Sequence, residues 1–325
     1  MRKIDFILYL ISLILGGAGG WIISKWGIRL SLVDHPNERS SHNTVTPKGG
    51  GIGILVAFVF CSLYTKISYW FWVPAVGVSV LGFLTDRFDI LPQVRLFLQF
   101  IAGFVVVIGL DRLSMSGLKE VALITFFIVF VVGTANFYNF MDGINGIAAV
   151  TSIIGYTLLG FSAHISGFNT AYVALAFCIS LACAGFLPLN IPNAKVFMGD
   201  VGSILLGFVF AGIVVKISRT FLDFITYAAF LFPFYADELT TMWIRIRDGE
   251  RLSQPHRRHF YQLLANERGI AHWKVSAGYG IFQLFVGMSV LMLRSFGVFV
   301  VLFFITACFA GFVLLNFRIR NKLEN

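Results

Sequence analysis

Charge, cysteine and proline are all scarce in this chain. Only 13% of its 325 residues are charged, about half the share of an average soluble domain, which excludes an ordinary soluble globular protein. The cysteines lie in apolar segments and do not have the spacing of metal ligands, so we interpret them as packing residues rather than a disulfide framework: Cys61, Cys178, Cys183 and Cys308. No repeat, low-complexity tract or proline-rich linker divides the sequence, and we expect one domain over residues 1–325.

Apolar sequence is abundant instead. Hydrophobic residues make up 58% of the chain, and the mean hydropathy is +0.83. Eleven apolar runs follow one another: 6–23, 51–64, 69–84, 96–110, 121–134, 147–162, 171–187, 204–217, 224–244, 275–293 and 296–315. We expect the first run to be a membrane span and not a cleavable signal peptide, because it has no small-residue cleavage site and ten runs follow it. The pattern predicts an all-α polytopic membrane protein with about 11 transmembrane helices, or 10 if the last two runs merge.

The distribution of Lys and Arg predicts the orientation of these spans. If the spans alternate, the loops 24–50, 85–95, 135–146, 188–203 and 245–274 share one side with the C-terminal tail. That side carries 17 basic residues and the other side carries eight. The positive-inside rule therefore places these loops in the cytoplasm and the N-terminus outside. The net charge of +9 partly reflects this topology, and it does not indicate nucleic-acid binding, because no separate basic domain is present.

Each of these inner loops carries an unusual polar cluster. The clusters are 34–42 followed by 47–51, then 85–89, 136–146, 190–203 and 256–259. In the third cluster a polar side chain recurs at every third position (Asn136, Asn139, Asp142 and Asn145). Polar groups at the edge of such apolar sequence are costly unless they meet a ligand, an ion or each other. The sequence therefore predicts an active site at the cytoplasmic interface, whereas a transporter more often spreads its charges near the midplane.

Several clusters allow two interpretations. The glycines at 49–53 are typical of helix packing, and without a Gly-Lys-Ser/Thr ending they are not a P-loop, although Lys48 is well placed to contact a phosphate. Asp200, between Gly199 and Gly202, begins a span either as a helix cap or as a ligand of a hard divalent cation, and we favour the cation. The pair Asp86 and Asp89 beside Arg87 could form a surface ion pair. The segment 256–259 is either a solvated positive loop or a grip for a diphosphate.

Taken in order, these clusters resemble those of the polyprenyl-phosphate N-acetylhexosamine-1-phosphate transferases, the family that includes phospho-MurNAc-pentapeptide translocase. Asn139-Phe-Met-Asp142-Gly-Ile-Asn145-Gly is similar to the family's N-x-x-D-G-x-D-G run, and Phe197-Met-Gly-Asp200-Val-Gly-Ser203 to its F-x-G-D-x-G-S run. His256-Arg-Arg-His259-Phe-Tyr-Gln262, together with the Asp34 loop, resembles the branch that initiates O-antigen. The resemblance extends from Asp34 to Gln262.

The resemblance implies an enzyme of the bacterial inner membrane. It would transfer an N-acetylhexosamine-1-phosphate from a UDP-N-acetyl amino sugar to a polyprenyl phosphate lipid such as undecaprenyl phosphate, releasing UMP and initiating a cell-surface polysaccharide. It further implies Mg²⁺ as cofactor, with Mn²⁺ as an alternative, held by Asp200 and Asp142. The implied catalytic residues are Asp86, Asp142, His256 and His259. The implied substrate-binding residues are Lys48, Asn136, Asn139, Asn145, Arg257 and Arg258.

Two departures from the family pattern bear on this interpretation. The family's Asp-Asp pair in the second inner loop reads Thr85-Asp86 here, and Asn145 replaces the second aspartate of the D-G-x-D-G run. We predict an active enzyme in which Asp86 takes the role of the pair. The alternatives are a transporter or flippase of an anionic glycolipid or nucleotide sugar, for which Asp237 is the best charge within a span, and a catalytically inactive relative. The identity of the sugar and a homodimer are both left open.

Overall fold

The computed structural model describes residues 3–36, 41, 44–88, 90–110, 117–251 and 256–324. Almost all of this part of the chain is helical. The helices are α1 (Lys3–Trp26), α2 (Ile52–Tyr64), α3 (Tyr69–Thr85), α4 (Pro92–Gly109), α5 (Leu118–Phe140), α6 (Ile147–Ile165), α7 (Thr170–Phe186), α8 (Asp200–Ile217), α9 (Phe221–Ala228), α10 (Phe232–Arg247), the single turn α11 (Phe260–Gln262), α12 (His272–Leu293) and α13 (Val298–Glu324). Two short strands, β1 (Val33–Asp34) and β2 (Thr46–Pro47), pair in antiparallel fashion.

The predicted all-α membrane fold is confirmed, with one difference in the ninth apolar run. Each predicted run coincides with a helix, but the run 224–244 is divided between α9 and α10 by a 3₁₀ turn at Ala229–Leu231. Pro233 lies in the first turn of α10, where a proline is tolerated, whereas inside a continuous helix its ring would clash with the preceding turn. Within the described ranges, eight helices are long and apolar enough to cross a membrane, and α2 and α3 are shorter. The number of spans therefore stays a prediction.

Helix α8 is the centre of the bundle. In the apolar part of α8, 89% of the residues are buried. The corresponding share for α13, which lies at the periphery, is 11%. In a membrane, either protein or lipid can cover a helix that is apolar on all sides. Helix α8 packs against α3 and α5, so protein covers it. Since Asp200 is the first residue of α8, the most enclosed helix of the protein carries the predicted metal ligand at its end.

Close glycine contacts draw the helices together. A Cβ atom on Gly51 would lie 2.5 Å from the Cα atom of Gly202, and one on Gly53 would lie 2.4 Å from the carbonyl oxygen of Leu15. Between spans in a membrane, small residues let backbones approach and gain packing contacts. The helix-packing interpretation of the glycine run is therefore confirmed.

The loops sort to two ends of the bundle. At one end Lys48 forms a β-bridge with Phe197, and Asn145 contacts both Pro192 and His272. Different loops meet at the other end, where the Nζ atom of Lys216 donates to the carbonyl of Leu110 at 3.1 Å. This arrangement agrees with the predicted alternation of the spans. Which end faces the cytoplasm stays a prediction.

Candidate active site

A cavity of about 520 Å³ opens at the end of the bundle where the predicted inner loops meet. It is lined by Asp34, Ser41, Lys48, Asp86, Asn139, Asp142, Gly143, Ile144, Asn145, Asn190, Phe197, Met198, Gly199, Asp200, Gln262 and His272. Four of the five polar clusters contribute side chains to the lining of this cavity, and the basic segment 256–259 does not. The structure thus brings together six residues that the sequence predicted for the site: Lys48, Asp86, Asn139, Asp142, Asn145 and Asp200.

Asp200 is held by donors from two other helices. Its Oδ1 atom accepts a hydrogen bond from Nδ2 of Asn139 at 2.8 Å, and its Oδ2 atom accepts one from the guanidinium of Arg95 at 2.9 Å. The hydroxyl of Thr85 lies 3.4 Å from the same Oδ2 atom. The amino end of α8 also favours a negative charge at this position. Asp200 is therefore a fixed carboxylate at the cavity wall.

Asp86 links Asp200 to Lys48. Its Oδ2 atom accepts the backbone N–H of Asp200 at 3.1 Å, while its Oδ1 atom lies 3.3 Å from Nζ of Lys48. The side chain of Asp86 is only 9% exposed, so Asp86 does not belong to a surface ion pair; Asp89, the other member of that alternative, lies outside the described residues. Burial and the neighbouring Asp200 carboxylate raise the pKa of Asp86 to about 6, and Lys48 opposes this rise.

Backbone hydrogen bonds join the segment around Lys48 to the segment before Asp200. The N–H groups of Gly50 and Gly51 donate to the carbonyls of Phe197 and Met198, each at 2.9 Å. Gly199 lies directly against this junction with φ +74° and ψ 169°. A Cβ atom at position 199 would lie 2.7 Å from Oδ2 of Asp86. Only glycine therefore allows the two segments to approach so closely.

Asp142 is one of four carboxylates in the cavity lining, together with Asp34, Asp86 and Asp200. It lies in the loop between α5 and α6. Burial, together with the charges of Asp200 and Asp86, raises the pKa of Asp142 well above the usual range of an aspartic acid. The cavity therefore concentrates more negative charge than Lys48 and Arg95 compensate.

The donor set fits a divalent cation that is only partly held by protein. In the described ranges no group of three His, Cys, Asp or Glu residues is close enough to bind a metal ion without other ligands. Mg²⁺ is commonly bound by one or two carboxylates, with water and substrate phosphate completing its shell. Asp200 and Asp142 are the candidates, and their surplus negative charge is what such an ion would neutralise.

Asn145 joins three loops beside the cavity. Its backbone N–H donates to Nδ1 of His272 at 3.3 Å, its side chain donates to the carbonyl of Pro192 at 3.1 Å, and its carbonyl accepts from Ser276 at 2.8 Å. A second polar cavity of about 570 Å³ begins here and shares four residues with the first: Ser41, Asn145, Phe197 and His272. The two cavities together form one extended polar groove.

Asn136 does not line either cavity. Its side chain donates to Oε1 of Gln99 at 2.7 Å and to the carbonyl of Val132 at 2.8 Å, so it serves the contact between α4 and α5. Three residues span about 300° of a helix, so each step of the sequence pattern turns the side chain by about 60°. This rotation gives Asn136 a different direction from Asn139, so Asn136 lies outside the lining of the two cavities, and its predicted substrate contact stays a prediction.

The basic segment 256–259 does not reach the two cavities. Arg258 forms an ion pair with Asp248 at 2.6 Å and another with Glu250, and Arg257 lies 3.8 Å from Glu267. Burial and the neighbouring His259 lower the pKa of His256 to about 4. The sequence shows the basic residues of this segment, but not which acidic residues lie beside them in the folded protein. The predicted phosphate contacts of these residues are therefore absent from the geometry.

His259 and Asp237 are buried beneath the site. The Nδ1 atom of His259 lies 3.5 Å from Oε2 of Glu238, and the His259 ring stacks on Tyr261. Asp237 accepts hydrogen bonds from the backbone N–H groups of Phe260 and Tyr261 and from the hydroxyl of a tyrosine on α12, Tyr279, at 2.6 Å. These contacts fix α11 and place Gln262, whose Oε1 atom accepts the His259 N–H at 3.2 Å, in the wall of the cavity.

Four cavity or site residues were missed by the sequence argument. They are Arg95, Asn190, Gln262 and His272. Arg95 and His272 are isolated in sequence, and no local pattern marks them; Asn190 and Gln262 lay within the clusters but were given no role. The predicted cluster members Asn37, Glu38, Arg39, Ser40, His42 and Asp89 lie outside the described residues.

Comparison with known proteins gives a consistent result. Residues 68–218 match the sequence profile of glycosyl transferase family 4. The chain is 30% identical over 266 residues to the undecaprenyl-phosphate alpha-N-acetylglucosaminyl 1-phosphate transferase of Yersinia pestis, covering 75% of this chain and 72% of the relative. It is 30% identical over 200 residues to a probable transferase of the same kind from Bacillus subtilis, covering 58% and 56%. It is 27% identical over 289 residues to the phospho-N-acetylmuramoyl-pentapeptide-transferase of Staphylococcus saprophyticus, covering 76% and 86%.

Proposed function

Because this chain belongs to glycosyl transferase family 4, we propose that it transfers N-acetylglucosamine-1-phosphate from its UDP-sugar to undecaprenyl phosphate and releases UMP. In the bacterial plasma membrane this step would begin a cell-surface polysaccharide such as O-antigen. The observation that carries the proposal is one polar cavity, at the end of a membrane bundle, that combines four carboxylates with Lys48.

The reaction joins two anionic substrates. A phosphate oxygen of the lipid forms a bond to the sugar-bearing phosphorus, and the bond from that phosphorus to the bridging oxygen breaks, so UMP leaves with the electron pair. The lipid phosphate has a second pKa of about 6, as phosphomonoesters do, and is mostly dianionic at neutral pH. A strong general base is therefore dispensable, and the main task of the protein is to position the charges and to stabilise them.

Five of the residues that line the cavity have a role in this proposal. Asp200 and Asp142 would hold Mg²⁺, or Mn²⁺ in its place, and a bound ion would offset the negative charge of the donor diphosphate. Lys48 contacts a substrate phosphate. Asp86 is a positioning residue, because it connects Lys48 to the backbone of Asp200. Asn139 orients the Asp200 carboxylate by its hydrogen bond to Oδ1.

In this proposal the segment 256–259 does not contact the substrates, and it supports the site by holding neighbouring residues in place. His259 contacts Gln262, which lies in the cavity wall, and Arg258 is held by Asp248 and Glu250. The lipid acceptor stays in the bilayer while its phosphate meets a soluble nucleotide sugar, which requires a cavity at a membrane interface. The excess of Lys and Arg in the same loops supports a cytoplasmic location for this interface.

Product analysis tests the proposal. Purified protein is incubated with undecaprenyl phosphate, UDP-N-acetylglucosamine and Mg²⁺, and the lipid is examined by mass spectrometry together with the release of UMP. We expect undecaprenyl diphosphate N-acetylglucosamine and an equal amount of UMP. Asp200→Asn should abolish both, whereas Glu120→Gln, which removes a carboxylate at the start of α5, should not.

Two results would contradict the proposal. Uptake of the donor into liposomes without UMP release would identify a transporter. Full activity of Asp200→Asn, with correct insertion of the variant, would remove Asp200 from the metal site.

A further inference from the structure

A second, apolar cleft lies between α12 and α13. It has a volume of about 470 Å³ and is lined by Phe260, Leu264, Ile270, Lys274, Val275, Gly278, Tyr279, Phe282, Cys308, Gly311, Phe312 and Leu315. None of these residues lines the polar cavity. The cleft extends from Lys274 to Phe282 along α12, about 12 Å at 1.5 Å per residue. This length approaches the half-thickness of a bilayer core, about 15 Å.

The two helices meet where the rings of Phe282 and Phe312 stack, with centroids 6.4 Å apart, but leave open space beside Gly278 and Gly311. A Cβ atom on Gly278 or on Gly311 would have no atom within 4 Å. These glycines therefore do not serve a close helix contact, unlike Gly51 and Gly202 in the centre of the bundle. The walls of the cleft are apolar, and both helices are long and apolar enough to span a membrane.

Basic side chains surround the end of the cleft near the inner loops. A neighbouring pocket of about 410 Å³ shares Leu264, Ile270 and Leu315 with the cleft and adds Arg268, Arg318 and Lys322. Arg318 and Lys322 lie on the same face of α13, four residues apart. No ion pair joins Arg268, Arg318 or Lys322 to a carboxylate of the described chain. The three positive charges are therefore exposed above an apolar cleft and have no carboxylate partner among the described residues.

We propose that this cleft binds an anionic phospholipid of the surrounding bilayer, with an acyl chain between α12 and α13 and its phosphate on Arg268, Arg318 and Lys322. Basic pockets between membrane helices on the cytoplasmic side attract anionic headgroups. The site differs from that of the lipid acceptor, because Phe260 and Leu264 face the cleft while Gln262, on the same turn, faces the polar cavity. The headgroup thus lies on the far side of α11 from Asp200.

Lipid binding to the purified full chain tests the proposal without use of enzymatic activity. Delipidated protein in a neutral detergent is titrated with phosphatidylglycerol or phosphatidylcholine of the same acyl chains, and bound lipid is counted by native mass spectrometry. We expect phosphatidylglycerol to bind on the order of 10-fold more tightly, because each basic residue near the phosphate contributes attraction. The double variant Arg318→Ala, Lys322→Ala should lose this preference, while Lys119→Ala, at the start of α5, should keep it.

A second variant tests the contribution of the apolar cleft to lipid binding separately from that of the basic residues at its end. Gly311→Leu fills open space and should weaken the binding of both lipids, whereas Gly77→Leu, on α3 and equally without neighbours, should weaken neither. Equal affinity for the two lipids, or an unchanged preference in the double variant, would overturn the proposal. Displacement of phosphatidylglycerol by an equal amount of undecaprenyl phosphate would assign the cleft to the acceptor instead. Loss of a dimer in Gly311→Leu would assign it to a second copy of the chain.

Discussion

Replacement of Gly199 by alanine tests whether the junction of Asp86, Gly49 and Asp200 organises the site. A Cβ atom at position 199 would lie 2.7 Å from Oδ2 of Asp86 and 2.8 Å from the backbone nitrogen of Gly49. Real Cβ contacts are not that short, so either the loop or the carboxylate must move. The hydrogen bond from the Asp200 N–H to Asp86, 3.1 Å long, would be lost in either case.

The expected effect has a conformational part and a steric part. The φ of +74° and ψ of 169° at Gly199 belong to a region that other residues occupy only at a cost of about 1–3 kcal/mol. The steric part displaces Asp86 or Asp200 by several tenths of an ångström or more. A displacement of about 1 Å at a catalytic group can cost about 100-fold in rate. We therefore expect Gly199→Ala to lower the transfer rate by roughly 100-fold while the protein still inserts.

Gly167→Ala is the matched control. Gly167 has a φ of +65° but no atom within 4 Å of its Cβ position, and it lies at the opposite end of the bundle. The Gly167→Ala variant therefore has the conformational cost of a positive φ, but no steric clash of the new Cβ atom. Both variants are purified in detergent, and their thermal unfolding and rates of UMP release are compared. If Gly199→Ala keeps a rate within about twofold of Gly167→Ala, the junction does not organise the site and our reasoning is refuted.

Four further predictions follow from the same contacts. Arg95→Ala should lower kcat/KM by about 10-fold or more, because a hydrogen bond to a charged group contributes about 1.5–3 kcal/mol; an unchanged value in steady-state assays would show that Arg95 does not position Asp200. Asp86→Asn should lower kcat more than KM, and near-complete retention of transfer would contradict its positioning role. Lys48→Met removes the cation that holds down the pKa of Asp86, so the pKa should rise from about 6 by roughly 1 unit or more. The acidic limb of the pH–rate profile should then move to higher pH, in addition to the loss of rate at all pH values that follows from the missing phosphate contact; an acidic limb that stays in place would count against this explanation. Asp237→Asn should destabilise the protein by about 1–3 kcal/mol, since a buried acceptor of four hydrogen bonds loses its charge; an unchanged melting temperature would refute it.

The candidate site was predictable where polar residues stand out against an apolar background. Asn139 and Asp200 lie at helix ends and Asp142 in a loop, positions where polar character is costly beside a membrane, and the structure places all three in one cavity. The same argument does not extend to Asn136, which satisfies its side chain within the bundle through Gln99. A polar residue next to a membrane must find a partner, but its identity alone does not distinguish a substrate from a neighbouring helix.

The basic segment 256–259 shows a second reason why an interpretation of the sequence can differ from the contacts in the structure. The composition of residues 256–259 indicates a phosphate grip, yet Arg258 is occupied by Asp248 and Glu250, and His259 is buried beside Glu238. Charge counting along the chain treats each base as available. In the folded protein the nearest acid decides whether a base is available, and that acid lies on a different turn or helix.

Composition and hydropathy were sufficient for the membrane class, the helical fold and the positions of the helices, because in lipid the polar backbone of an apolar segment must satisfy its hydrogen bonds within each helix. They were not sufficient for the partners across the cavity. Arg95 reaches Asp200 over 105 residues, and Lys48 reaches Asp86 from a different loop. Such pairs depend on how closely α8 packs among its neighbours, and that packing is a property of the whole bundle which no local pattern of residues contains.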